Sequence, residues 1–147
     1  MTINTCSGAL SFAKELENES AKFYEDLAQR YTKEKDLFLS FAKENGEYIT
    51  QIERAYYGVI SDAIEGCFAF NIDPEKYSLE TELSEKPGLS DVLKRALEIE
   101  EKMVLFYSDA ADQSKSLMAD VPRAFRLVAK KRGLRKEKLL SLMAVKT

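Results

Sequence analysis

Two glutamates carry the strongest chemical signal in this chain. Glu17 and Glu100 are each followed six and seven residues later by Phe-Tyr, as Phe23-Tyr24 and Phe106-Tyr107, and then by Asp and Ala. A carboxylate that recurs in this way and faces a core needs a positive partner, or its pKa rises and the core weakens. The chain has no histidine. That excludes a Ser-His-Asp or Cys-His nucleophile pair, a His-ligated haem and every Glu-x-x-His or His-Glu-x-x-His metal motif. The two cysteines, Cys6 and Cys67, form no Cys-x-x-Cys pair, which removes zinc fingers, rubredoxin-type iron sites and thioredoxin motifs. They read as thiols in a reducing compartment, and Cys67, in Glu65-Gly66-Cys67-Phe68-Ala69-Phe70, as a buried small hydrophobe.

Other chemistry-bearing residues have plainer readings. Tyr24, Tyr48 and Tyr107 could serve as redox tyrosines, but aromatic residues at helical spacing read first as core. Glu44, Glu47, Glu98 and Glu101 sit about 100° or more around their helices from the inward positions and are not taken as ligands. The stretch Lys130-Lys131-Arg132-Gly133-Leu134-Arg135-Lys136-Glu137-Lys138 is a basic cluster. Within a chain of net charge −3 it reads as a solvated face that complements a helix C-terminus, and no nucleic-acid partner is expected.

Long helices must position these residues. Of 147 residues 45% are hydrophobic and 32% charged, with six Gly and three Pro, a balance that suits one domain of helices rather than a turn-rich sandwich or barrel. Apolar residues recur at helical spacing over Leu10–Tyr31, over Glu34–Tyr57, from Ser90 with Ser90 and Asp91 as the N-cap signal, and from Asp120 with Pro122 in the first turn. Each stretch exceeds 20 residues, or roughly 30–37 Å of helix. Residues 58–90 carry the turn Asp73-Pro74-Glu75 and the stop Lys86-Pro87-Gly88, and read as a long crossover between helix pairs. The two halves are alike: residues 16–28 match 99–111, and 41–46 match 128–133. The chain therefore reads as an all-α four-helix bundle made of two repeated hairpins, at about 10–57 and 91–143, in a single domain.

Over those two blocks the sequence resembles the rubrerythrin-like branch of the ferritin-like family. The resemblance implies a ferritin-like bundle whose core holds two irons, with a Glu from each of the first and third helices and a Glu-x-x-His pair from each of the others. Carried onto this chain, Glu17 and Glu100 stand at the retained ligand positions. The second-helix pair is Asn45 and Tyr48, and the fourth-helix pair is Arg132 and Arg135. Two guanidinium groups could balance two carboxylates with bidentate hydrogen bonds, with Asn45 and Tyr48 taking up the remaining ones. Alternatively, the arginines could curve outward to water.

The expected function is therefore a rubrerythrin-like scaffold or binding protein with no catalytic residue and no cofactor. The first alternative is an iron-binding oxidoreductase, or peroxide- or iron-handling protein, with an altered site. The second is a helical protein-interaction module. The resemblance implies a homodimer; no protein partner can be named. The N-terminus shows no signal-peptide pattern and no run of 18 apolar residues occurs, so a cytoplasmic protein without a membrane partner is expected.

Overall fold

The computed structural model describes residues 2–59, 70–83, 85, 87–114 and 120–146. Within them the chain forms four long helices: α1 (Cys6–Arg30), α2 (Lys35–Val59), α3 (Leu89–Gln113) and α4 (Asp120–Lys146). The described residues contain no strand, only a single bridge between Ile3 and Ile72. None of the helices is long and apolar enough to cross a membrane, among the described residues. Cys67 lies outside the described residues.

The helices match the periodic stretches, with two differences at their starts. α1 begins at Cys6 rather than Leu10, because the Thr5 side chain accepts a hydrogen bond from the Gly8 backbone N–H at 3.0 Å and caps the helix earlier. α3 begins at Leu89 with Gly88 in the N-cap position and no side-chain cap, so Ser90 and Asp91 do not cap it. Pro87-Gly88 brings the chain in extended, the Gly88 carbonyl accepts from Val92 N–H at 3.1 Å, and Asp91 acts only as a charge in the first turn.

Contacts across the bundle fix the helix directions. Lys14 pairs with Glu53 and Ser20 with Asn45, so α1 and α2 are antiparallel. Arg132 meets Glu100 while the Tyr107 and Phe125 rings lie 6.2 Å apart, so α3 and α4 are antiparallel. Phe41 and Asn45 of α2 meet Arg135 and Arg132 of α4, again antiparallel. Tyr24 meets Glu100 and Tyr107 meets Glu17, so α1 and α3 are antiparallel too. It follows that α2 and α3, consecutive in the chain, run in the same direction.

A chain linking two parallel helices must return along the whole bundle, and the described part of the crossover does so. Ile72 is hydrogen-bonded to Ile3 beside the start of α1. Asp73 caps the 3-10 turn Pro74–Tyr77. The Tyr77 ring then packs on Phe12 and Phe106, and its hydroxyl donates to Asp109 at 2.5 Å. Further on Glu80 pairs with Arg95 at 2.9 Å, and the Pro87 carbonyl accepts from the Tyr31 hydroxyl at 2.8 Å at the far end of α1. The crossover thus covers the α1/α3 side and leaves the α2/α4 side bare among the described residues.

Candidate functional site

The middle of the bundle is polar. Glu17, Ser20, Asn45, Glu100, Arg132 and Arg135 are all buried, Arg132 completely and Arg135 to within 2%. Every one of the six positions singled out in the sequence lies in this cluster, Tyr48 included. Arg132 is sealed from water, and Arg135 is all but sealed at the edge of the cluster. The basic cluster is therefore not one solvated face: Lys130 and Lys138 face outward, while Arg132 and Arg135, three residues apart and so on one side of α4, enter the core.

Arg132 is the hub. One terminal nitrogen donates to both oxygens of Glu100 at 2.8 Å and to the Ser20 hydroxyl at 3.3 Å. The other donates to Glu17 at 2.5 Å and to the Asn45 side-chain carbonyl at 2.7 Å. Arg135 donates to the same Asn45 oxygen at 3.1 Å and to the Phe41 carbonyl at 3.0 Å, and stands 3.6 Å from Glu100. Its guanidinium lies 4.4 Å from the centre of the Phe41 ring and 5.4 Å from Tyr24 and Tyr48, so the cation is wrapped by aromatic faces. Arg132 is 5.3 Å from the Tyr48 ring. The Nε atoms of Arg132 and Arg135 have no hydrogen-bond partner among the described residues.

Two hydroxyls complete the carboxylate shells, and they are exchanged between helices. Tyr24 of α1 donates to Glu100 of α3, and Tyr107 of α3 donates to Glu17 of α1, both at 2.5 Å. Seven residues are close to two helical turns, so each tyrosine shares the face of the glutamate in its own motif. Because α1 and α3 are antiparallel, each tyrosine ends beside the other helix's glutamate. These rings are core, as their spacing implied, but their hydroxyls belong to the site. The spacing along α2 places Glu44 off the inward face. It is half-buried, accepts from Tyr48 O–H at 3.1 Å and stands 3.7 Å from Arg135, because these long side chains lean toward it. Glu98 and Glu101 are exposed and pair with Arg95 and Lys136.

Burial pushes the Glu17 carboxyl above the usual carboxylate range, against the pull of Arg132 and the Tyr107 hydroxyl. Burial also works against the charge on Arg132, but Glu100 and Glu17 together outweigh it and hold the guanidinium charged. Tyr24 and Tyr107 are raised well above the ordinary phenol value by burial and by the carboxylates they serve. Tyr48 is pushed up to about 12, mainly by burial.

The tyrosine shifts have a definite sign. The folded state keeps these phenols neutral, whereas the unfolded chain ionises them near pH ~10, so their contribution is intact below that pH and is lost as pH rises through the folded values. In an alkaline titration followed at 295 nm, tyrosinate from Tyr24 and Tyr107 should form together with loss of helical circular dichroism. The double variant Tyr24→Phe/Tyr107→Phe should show a shallower fall of melting temperature with pH above ~10. Equal slopes in parent and variant would remove these two phenols as the cause.

The donor set suits a closed charge network more than a metal centre. Arg132 and the two tyrosines occupy lone pairs of both carboxylates, and the remaining positions present an amide, a phenol and a second cation. Among the described residues no three His, Cys, Asp or Glu side chains come together as a metal-binding group. No family model, curated protein or solved structure matches the chain.

Proposed function

We propose that this chain is a ferritin-like bundle of the rubrerythrin type in which a Glu–Arg network stands where the family holds two irons, and that it acts as a non-catalytic scaffold or binding protein. The architecture supports the ferritin-like part: two antiparallel hairpins, parallel second and third helices, and a crossover along one side of the bundle are what one long connection between helix pairs requires. The exchange of tyrosine hydroxyls between Glu17 and Glu100 supports the repeated-hairpin part, since equivalent residues of the two halves play equivalent roles.

The observation that carries the functional reading is the place of Arg132. A single guanidinium bridges the two carboxylates that the resemblance assigns as metal ligands, while Arg135 adds a second positive charge beside Glu100. Two acids and two bases balance without a metal. A divalent ion brought to Glu17 and Glu100 would have to displace a buried arginine and would still face Arg135. The residues present do not fit a di-iron centre, so no redox step is assigned to this site. What it supplies is a charged, directional core that sets the register of four helices.

Metal content tests this directly. Protein made without a His tag in iron- and manganese-supplemented cells should carry less than about 0.1 equivalent of any transition metal by mass spectrometry. Its melting temperature should not move on adding Fe(II), Mn(II) or Zn(II), because a specific ligand must stabilise the fold it binds. Near-stoichiometric metal that is lost in Glu17→Ala or Glu100→Ala would overturn the proposal.

A further inference from the structure

Of the four helices, α4 separates apolar from polar residues least. Arg132 and Arg135 turn inward, and apolar side chains stay outside. Among the described residues seven large apolar side chains are exposed, and four of them are on α4: Leu127, Leu134, Leu140 and Val145. Exposed leucines are ordinary when they stand singly, but three of these four form a line. Seven and eleven residues are each close to a whole number of turns, so Leu127, Leu134 and Val145 lie within about 20° of one another around α4. The line runs for about 27 Å along the helix.

Bases flank this line on both sides. By helical position Arg123, Arg126 and Lys130 fall on one side of it and Lys131 and Lys138 on the other, while Asp120 and Glu137 are the acids of the same face. That excess of positive charge stands in a chain whose net charge is −3. The acid is concentrated elsewhere. The described crossover carries Asp73, Glu75, Glu80, Glu82 and Glu85 against Lys76 alone, and it covers the α1/α3 side. Leu134 and Val145 instead border the bare α2/α4 side. The surface is therefore polarised, with acid on one side of the bundle and a basic, apolar-centred helix on the other.

We propose that the outer face of α4 binds the surface of an anionic phospholipid bilayer. Leu127, Leu134 and Val145 enter the boundary between headgroups and acyl chains, and the bases on either side reach lipid phosphates. Charge complementarity selects this occupant. A nucleic-acid duplex would set its phosphates against the apolar line. An acidic helix laid in the α2/α4 groove would meet Glu44 and Glu47 on the α2 wall and leave Arg126 and Lys130 unused. A lipid surface uses the line and both flanks together, and its negative potential turns the acidic crossover away, which orients the bundle. Lying on a bilayer requires no spanning helix, so the lack of an 18-residue apolar run, the ground for expecting no membrane partner, does not oppose it. Three aliphatic side chains and a few bases make the association reversible. The inference concerns the outer surface and does not depend on the reading of the core.

Flotation of the full chain with phosphatidylcholine vesicles containing about one third phosphatidylserine should carry the protein with the lipid at low salt and release it as salt rises. Vesicles of phosphatidylcholine alone should not retain it. Arg126→Gln/Lys130→Gln should lower the partition by about 30-fold, about fivefold for each base. Leu127→Gln/Leu134→Gln should lower it with every charge kept, and helical circular dichroism should be retained in both pairs. The chain has no tryptophan, so Leu134→Trp adds a single reporter whose emission should shift to the blue on the anionic vesicles. Lys22→Trp, on the exposed face of α1 beside the crossover, should show no shift. No flotation with anionic vesicles at low salt would overturn the proposal, as would equal retention by phosphatidylcholine alone, binding indifferent to either pair of substitutions, or equal shifts at positions 22 and 134. Binding of duplex DNA or of an acidic peptide in place of the vesicles would overturn it in favour of that partner.

Discussion

Replacing Arg132 by methionine should lower stability by about 3–5 kcal/mol, the usual cost of removing one partner from a buried ion pair. At roughly 3 °C per kcal/mol for a domain of this size, the melting temperature should fall by about 10–15 °C. The loss arises less from the bonds that vanish than from what stays behind. Glu17 and Glu100 remain at 0% exposure, and only Arg135, on the Glu100 side, is left to face them. Glu17→Gln should cost much less. Burial already opposes the Glu17 charge, and a neutral amide can still accept from Arg132. Combining the two substitutions removes one acid with one base and leaves Glu100 opposite Arg135 at 3.6 Å. The double variant should therefore be more stable than Arg132→Met alone, a coupling of about 1–2 kcal/mol that a thermal or denaturant cycle would read. Arg132→Met melting like the parent would remove the network as a source of stability.

A larger change is expected from rebuilding the ligand set that the ferritin-like reading implies. The variant Asn45→Glu/Tyr48→His/Arg132→Glu/Arg135→His keeps Glu17 and Glu100 and places a Glu-x-x-His pair on each of α2 and α4. Without metal it gathers four carboxylates and no cation in one buried space, and should be poorly folded at neutral pH. With Mn(II), or with Fe(II) under anaerobic conditions, it should bind two ions per chain and regain a cooperative transition. Metal at about a thousand times its dissociation constant would contribute roughly 4 kcal/mol to the fold. The contrast with the parent protein, which should ignore the same metals, is the informative result. A variant that fails to bind two ions per chain, whether or not it folds without them, would mean that these positions on α2 and α4 do not have the ligand geometry, and the ferritin-like reading would fall with it.

Much of the fold was legible because helical periodicity is a local property. The apolar residues at helical spacing, the length of residues 58–90 and the recurring Glu-x5-Phe-Tyr motif are one-dimensional patterns, and the helices lie where they point. The helix starts were less legible. At Thr5 and Gly88 the start depends on backbone geometry in the incoming chain, and several residue types could have served. The site divides in the same way. Glu17, Asn45, Glu100, Arg132 and Arg135 could be listed by position, and the tyrosines could be placed on the right face. The partner of each tyrosine hydroxyl could not be read, because it depends on the relative direction of α1 and α3.

By itself the sequence determined what chemistry is absent and which residues needed partners: there are no imidazoles, two carboxylates recur on inward stripes, and two arginines share one side of the fourth helix. Only the tertiary structure decided that Arg132 and Arg135 turn inward, that one guanidinium spans both carboxylates, and that Glu44 leans into the edge of the site. An arginine is long enough to reach either water or a core from the same backbone position. Which way it turns depends on whether carboxylates from other helices wait on the inside, and that is settled by how four helices come together, not by any stretch of one.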